Sequence, residues 1–250
     1  MIKKFSLTIP QLSGDNERIG YIYFPPTYDI NNDKRYPVIY MFDGQNIFFD
    51  EDATYKTSWG LSDYLDTNPL EIIIIAISSN PIGDNRLYEY TPYDFVYNNQ
   101  DIKAKGKIYM NWLVNELKPQ VDSRLKTLKD RKNTYICGSS LGGLMSFYGA
   151  TVYNRYFSKA ICLSPSLWVN VDEVIKTIKT SKMNEDTCIY MDYGSKELDN
   201  HIENKEILIK ATSLLMDKNI SATLSIAYGA KHCEASWAKR VPYFIKWLDI

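Results

Sequence analysis

The sequence predicts an α/β protein with a mostly parallel central sheet, helices on both faces and antiparallel N-terminal strands. Three observations carry that expectation. Short apolar runs alternate along the chain with segments of helical periodicity. Most of those runs are nearly continuous in their apolar residues, as strands covered on both faces must be. The first two instead alternate apolar and polar residues, as half-buried antiparallel strands do.

In chain order, Phe5–Ile9 and Ile19–Phe24 are the alternating pair, and Pro25-Pro26 ends the second. Val38–Phe42, Ile72–Ser78, Thr134–Cys137, Ala160–Leu163, Cys188–Met191 and Ala222–Ala227 are the continuous runs. Between them, Met110, Leu113, Val114, Leu117 and Val121 recur at helical spacing within Ile108–Leu125. Leu141–Val152, Val171–Ile178, Ile207–Met216 and Val241–Leu248 read as further helices. No repeat, low-complexity tract or Gly/Pro/Ser-rich linker interrupts the pattern, so residues 1–250 are expected to form one domain.

Composition excludes several functional classes. The chain of 250 residues carries 29 Lys plus Arg against 30 Asp plus Glu, a net charge of −1, without the basic excess of a nucleic-acid surface. The longest apolar run, Ile72–Ile77, falls far short of the ~20 residues of a membrane helix, so no membrane partner is expected. The N-terminal apolar stretch is too short and too alternating for a signal peptide, which points to a cytoplasmic location. Cys137, Cys162, Cys188 and Cys233 form no C-x-x-C pair and read as reduced thiols. There is no H-E-x-x-H, Walker loop or G-x-G-x-x-G after a strand, so neither metal nor cofactor is expected.

Gly138-Ser139-Ser140-Leu141-Gly142 matches G-x-S-x-G. Chance supplies that pattern about once in ten chains of this length, so context decides. An apolar strand leads in and a helix leads out, the setting of a nucleophile elbow, which makes Ser140 the candidate nucleophile. A serine hydroxyl needs an adjacent base. Of the two histidines, His232 follows the last strand and precedes the last helix, where the order Ser–acid–His puts the base; His201 opens a polar helix. The acid is expected after the strand Cys188–Met191, where Glu197, Asp199 and Asp192 are the candidates and Glu197 is preferred. The amides of Leu141, next after the serine, and Gln45, in the loop Asp43-Gly44-Gln45-Asn46, are the candidate oxyanion donors.

Together these segments resemble the putative esterase family of α/β hydrolases, the group around esterase D and the enterochelin and feruloyl esterases. The likeness runs through Met41–Phe48, Glu89–Pro92, Cys137–Gly143, Ser164–Trp168, Asp192–Glu197 and His232–Trp237, nearly the whole chain from residue 19. It implies an α/β-hydrolase fold, a serine esterase acting through an acyl-enzyme, and Ser140, His232 and Glu197 as its catalytic set. Some relatives use a Ser–His dyad, which keeps the acid open. A transferase on the same residues, or a non-catalytic binding module, are the alternatives.

Between the strand ending at Leu163 and the one starting at Cys188 there is room for only a short helix, so no large lid domain is expected. A small-molecule ester with a small acyl or aryl group, of a carbohydrate or siderophore, fits such an open site. The walls are expected from residues 46–60 and 80–100. Arg86, Tyr90 and Trp168 are candidate substrate contacts, with Tyr88 and Tyr93 nearby; Arg86 is free to bind an anionic group or to pair with Glu89.

Overall fold

A computed structural model of the chain describes residues 1–28, 33–197 and 201–249. Among these residues ten strands are formed: β1 (Ile2–Thr8), β2 (Glu17–Tyr23), β3 (Val38–Phe42), β4 (Ile73–Ile77), β5 (Phe95–Tyr97), β6 (Gln100–Ile102), β7 (Thr134–Ser139), β8 (Lys159–Leu163), β9 (Cys188–Gly194) and β10 (Ser221–Ala227). Eight of them make one sheet in the order β1-β2-β4-β3-β7-β8-β9-β10. β2 pairs antiparallel with both β1 and β4, and every pairing from β4 onward is parallel. The mostly parallel sheet and the antiparallel N-terminal edge expected from the residue pattern are both present, in the α/β-hydrolase arrangement that the resemblance implies.

The helices are α1 (Pro10–Ser13), α2 (Leu61–Thr67), α3 (Asn85–Glu89), α4 (Gly106–Trp112), α5 (Lys118–Arg124), α6 (Leu141–Val152), α7 (Val171–Thr180), α8 (His201–Met216), α9 (Glu234–Ala238) and α10 (Val241–Leu248). They cover both sheet faces. In β3, Val38, Tyr40 and Phe42 join one core with α4, α6, α7 and α8, while Ile39 and Met41 join the other with α2 and α10. This two-sided burial is why the parallel strands read as unbroken apolar runs. No helix among the described residues is long and apolar enough to cross a membrane.

The expected helix Ile108–Leu125 is divided: a π-helical turn, Leu113–Leu117, joins α4 to α5. The wide turn sits directly ahead of Pro119, which has no N–H for the helical ladder. The hairpin β5–β6 was not legible as strands. Each strand has three residues, too few for a period, and the turn rests on Asn98 and Asn99 at φ 48° and 61°. Between β8 and β9, where a lid would be inserted, the chain forms only the 3-10 turn Leu167–Asn170 and α7.

Candidate active site

The site lies at the carboxyl ends of β3, β7, β8 and β9, where each chain must leave the sheet sharply. Three non-glycine residues there hold left-handed backbone: Asp43 (φ 55°) after β3, Ser140 (φ 56°) after β7 and Ser164 (φ 44°) after β8. Such strain persists only where surrounding structure enforces it. At Ser140 the turn folds so tightly that a Cβ on Gly138 would lie 2.5 Å from the Gly142 backbone carbon. The strand therefore passes straight into α6 with the Ser140 side chain projecting above the sheet.

His232 reaches this serine from the loop between β10 and α9. Its Nε2 lies 2.9 Å from Ser140 Oγ, and its Nδ1 lies 3.0 Å from Glu197 Oε2. The ring of Trp237 meets the imidazole edge-on at a centroid distance of 5.0 Å. An imidazole so placed can take the hydroxyl proton while the carboxylate fixes its tautomer and stabilises the charged ring.

Glu197 is 1% exposed. Its second oxygen, Oε1, accepts hydrogen bonds from the Ser164 hydroxyl, the Gly194 N–H at 2.7 Å and Arg240 Nη2 at 3.2 Å. Burial alone would push this carboxyl up, but the hydrogen bonds from His232, Ser164 and Gly194 outweigh it and hold it below the usual carboxylate range. Asp192 also sits at the carboxyl end of β9 but faces Arg240 Nη1 at 2.7 Å and the Ser164 N–H at 3.1 Å, not His232. Burial pushes its carboxyl up to about 6 against the pull of Arg240. Asp199 lies outside the described residues. Of the three candidate acids, Glu197 is the one brought onto the histidine.

The β3 loop is pinned from several sides. Asp43 takes a bidentate pair from Arg86, Nε to Oδ1 and Nη2 to Oδ2, both at 2.7 Å. Its own N–H donates to Tyr90 Oη at 3.3 Å. Gly44 is required by close approach: a Cβ there would lie 2.8 Å from the backbone carbon of Ala76 on β4. The left-handed residue of this turn is Asp43. The Gln45 side chain is tied to Ser79 through both its oxygen and its nitrogen, at 3.1 and 3.0 Å. The backbone amides of Gln45 and Leu141 have no acceptor among the described residues, which leaves both available to a ligand oxygen.

A family model described as Putative esterase matches residues 13–246. The chain belongs to this esterase family. The esterase is 24% identical over 238 residues to the uncharacterised protein YbbA of Bacillus subtilis (strain 168), covering 91% of this chain and 90% of that one. Among solved structures it is similar to the siderophore hydrolase EstA of Aspergillus nidulans, with TM-score 0.71, 15% identity, and 98% and 94% of the two chains covered. It is also similar to a ferulic acid esterase of Anaeromyces mucronatus, with TM-score 0.66, 18% identity, and 98% and 89% covered. At these identities the structural likeness concerns the fold.

In the esterase, Ser140 and His232 open onto a cleft of about 970 Å³. Its walls include Tyr55 from one expected stretch, residues between Gly83 and Tyr97 from the other, and Trp168. One expected contact, Tyr90, needs correction, and another, Arg86, is engaged within the wall. Tyr90 is fully buried beneath the cleft, packed edge-on against Phe42 and Tyr109, and is spent on Asp43. Arg86 borders the cleft but is locked to Asp43; Glu89 pairs with Arg18 instead, at 2.6 Å. Sequence reasoning missed Arg240, Ser164 and Asp43 as site residues. Ser164 and Asp43 lay inside the family-like stretches, but nothing in the residues around Arg240 marked it.

Proposed function

We propose that this esterase is a serine carboxylic-ester hydrolase that works through an acyl-enzyme on Ser140. The observation that carries the reading is the unbroken chain from Ser140 Oγ through His232 to buried Glu197, at the mouth of an open cleft. His232 Nε2 accepts the Ser140 proton as Oγ attacks the ester carbonyl. The Leu141 and Gln45 amides receive the developing oxyanion, where each donor typically contributes about 10²–10³ in rate. The alcohol departs with the proton held on His232. Water then loses a proton to the same nitrogen as it attacks the acyl carbon, and His232 returns that proton to Ser140 Oγ as the carboxylic acid is released.

An open cleft with Trp168 and Tyr97 in its wall suits small-acyl and aryl esters. The likeness to a ferulic acid esterase and a siderophore hydrolase puts esters of those kinds in the first substrate panel. Four cysteines free of disulfides suit the reducing cytoplasm. Hydrolysis of p-nitrophenyl acetate by the wild type beside Ser140→Ala tests the mechanism. Activity and fluorophosphonate labelling are both expected to vanish in the variant with its folding intact. Equal rates in the two proteins would remove Ser140 as nucleophile.

A further inference from the structure

We propose that the substrate of this esterase carries a cationic group, an ammonium seated against the aromatic wall of the cleft. The inference rests on the serine-hydrolase reading and adds a substrate class to it.

The charges around the cleft point one way. Arg86 is the one Lys or Arg among the described residues lining it, and its Nε and Nη2 both face the Asp43 carboxylate. Its charge is thus offset within the wall and is a poor anchor for an anionic substrate. Two carboxylates on different elements have no such offset. Asp84 precedes α3 and Glu203 lies in the first turn of α8. Both are exposed at the cleft, and neither carboxylate has an ion-pair or hydrogen-bond partner among the described residues. A cleft lined by one sign of charge concentrates ligands of the opposite sign.

The rings supply the second half of the recognition. Tyr55 is 75% and Tyr97 43% exposed, far more than a packing role needs. Tyr97 leans on Trp168 at a centroid distance of 6.4 Å and 37° between planes, and Phe95 meets Trp168 edge-on at 6.4 Å and 78°. The Phe95 edge props the indole, and the hairpin carries Tyr97 beside it. Ring faces attract cations, tryptophan most strongly. Leu87, Val171 and Ile207 add apolar surface for the alkyl groups of an ammonium. Aromatic faces, uncompensated carboxylates and apolar contacts together favour alkylated ammonium over a carboxylate or catecholate anion.

The test compares acetylthiocholine with S-(3,3-dimethylbutyl) thioacetate, in which carbon replaces the quaternary nitrogen. The two share shape, but the ammonium makes thiocholine the better leaving group, so their ratio of kcat/KM reads charge once divided by the same ratio for hydroxide hydrolysis in solution. That ratio is expected to be about tenfold or more in favour of the cation at low salt. It should shrink toward parity at about 0.5 M NaCl and in the double variant Asp84→Asn, Glu203→Gln. A ratio near one, or a preference indifferent to both salt and the substitutions, overturns the inference. Hydrolysis of p-nitrophenyl acetate with no turnover of either thioester overturns it too, and leaves the hydrolase reading standing. Failure of all three substrates overturns the hydrolase reading, and the cationic substrate falls with it.

Discussion

At the scale of single residues, Arg240 holds the site together from behind. Its guanidinium bonds Asp192, Glu197 and the Ser164 hydroxyl, and the arginine is only 3% exposed. Arg240→Met would leave two buried carboxylates without their cation. Such a change costs about 3–5 kcal/mol, read as a lower Tm, and the kcat for p-nitrophenyl acetate should fall with it. An unchanged Tm would contradict the burial of this pair. Asp192 adds a pH signature. Its carboxyl titrates near 6 in the folded chain and near 3.8 when free. Between about pH 4 and pH 6 the folded protein therefore binds a proton that the unfolded chain has lost, and this group's stabilising effect declines as pH rises. Asp192→Asn should compare better with the wild type at pH 7 than at pH 4 in thermal melts; a constant difference would refute the buried, raised carboxyl. Glu197 has the opposite sign, since its depressed carboxyl contributes stability above the range of a free carboxylate and loses it only as pH falls. The meeting of Ser140 and His232 was legible because serine, acid and histidine in that order between strands is a restricted pattern. Arg240 was not, because an arginine ahead of an amphipathic helix looks the same in sequence whether it faces water or a buried carboxylate.

At the scale of elements, the turn from β7 into α6 combines strain with close approach. Ser140 sits at φ 56° and ψ −121°, a region that glycine enters without penalty and other residues rarely occupy. Ser140→Gly should consequently be more stable than Ser140→Ala by about 1–3 kcal/mol in urea unfolding, although both lack the hydroxyl. Equal stabilities would mean that the serine is relaxed and that the strain argument fails. The strand and helix around this turn were readable because both are buried on nearly every side and long enough to show a pattern. The β5–β6 hairpin escaped because its fold information lies in two asparagines at a turn, while its aromatic residues read as loose wall. The division of the helix ahead of α5 had a visible cause in Pro119, yet a proline there is compatible with a kink, a stop or a π turn, and only packing selects among them.

At the scale of the whole molecule, the described site residues run from Asp43 to Arg240, so the N-terminal edge and the C-terminal helix contribute unequally. β1 pairs only with β2, and its residues are at best half-buried. Its Phe5 lies over Gly20, and Phe5, Leu7 and Ile2 pack partly buried against the cores. β2 keeps its ladder to β4 without it, and Arg18 keeps its pair with Glu89. Deleting residues 1–8 should accordingly leave kcat/KM for p-nitrophenyl acetate within about threefold while lowering Tm by roughly 5–10 °C, as loss of a few kcal/mol does in a chain this long. The exposed β2 edge should also raise the tendency to aggregate on heating. Deleting residues 240–250 removes Arg240 together with Val241, Phe244 and Leu248, each buried in the core shared with β3 and β4. That protein is expected to lose both solubility and activity. The contrast follows from topology: the parallel strands deliver serine, carboxylate and imidazole to one edge of the sheet, and the antiparallel pair only seals its far side. A loss of more than tenfold in kcat/KM on N-terminal deletion, with the protein still folded by circular dichroism, would show instead that β1 shapes the cleft through the Lys4–Asp52 pair and the loop it touches.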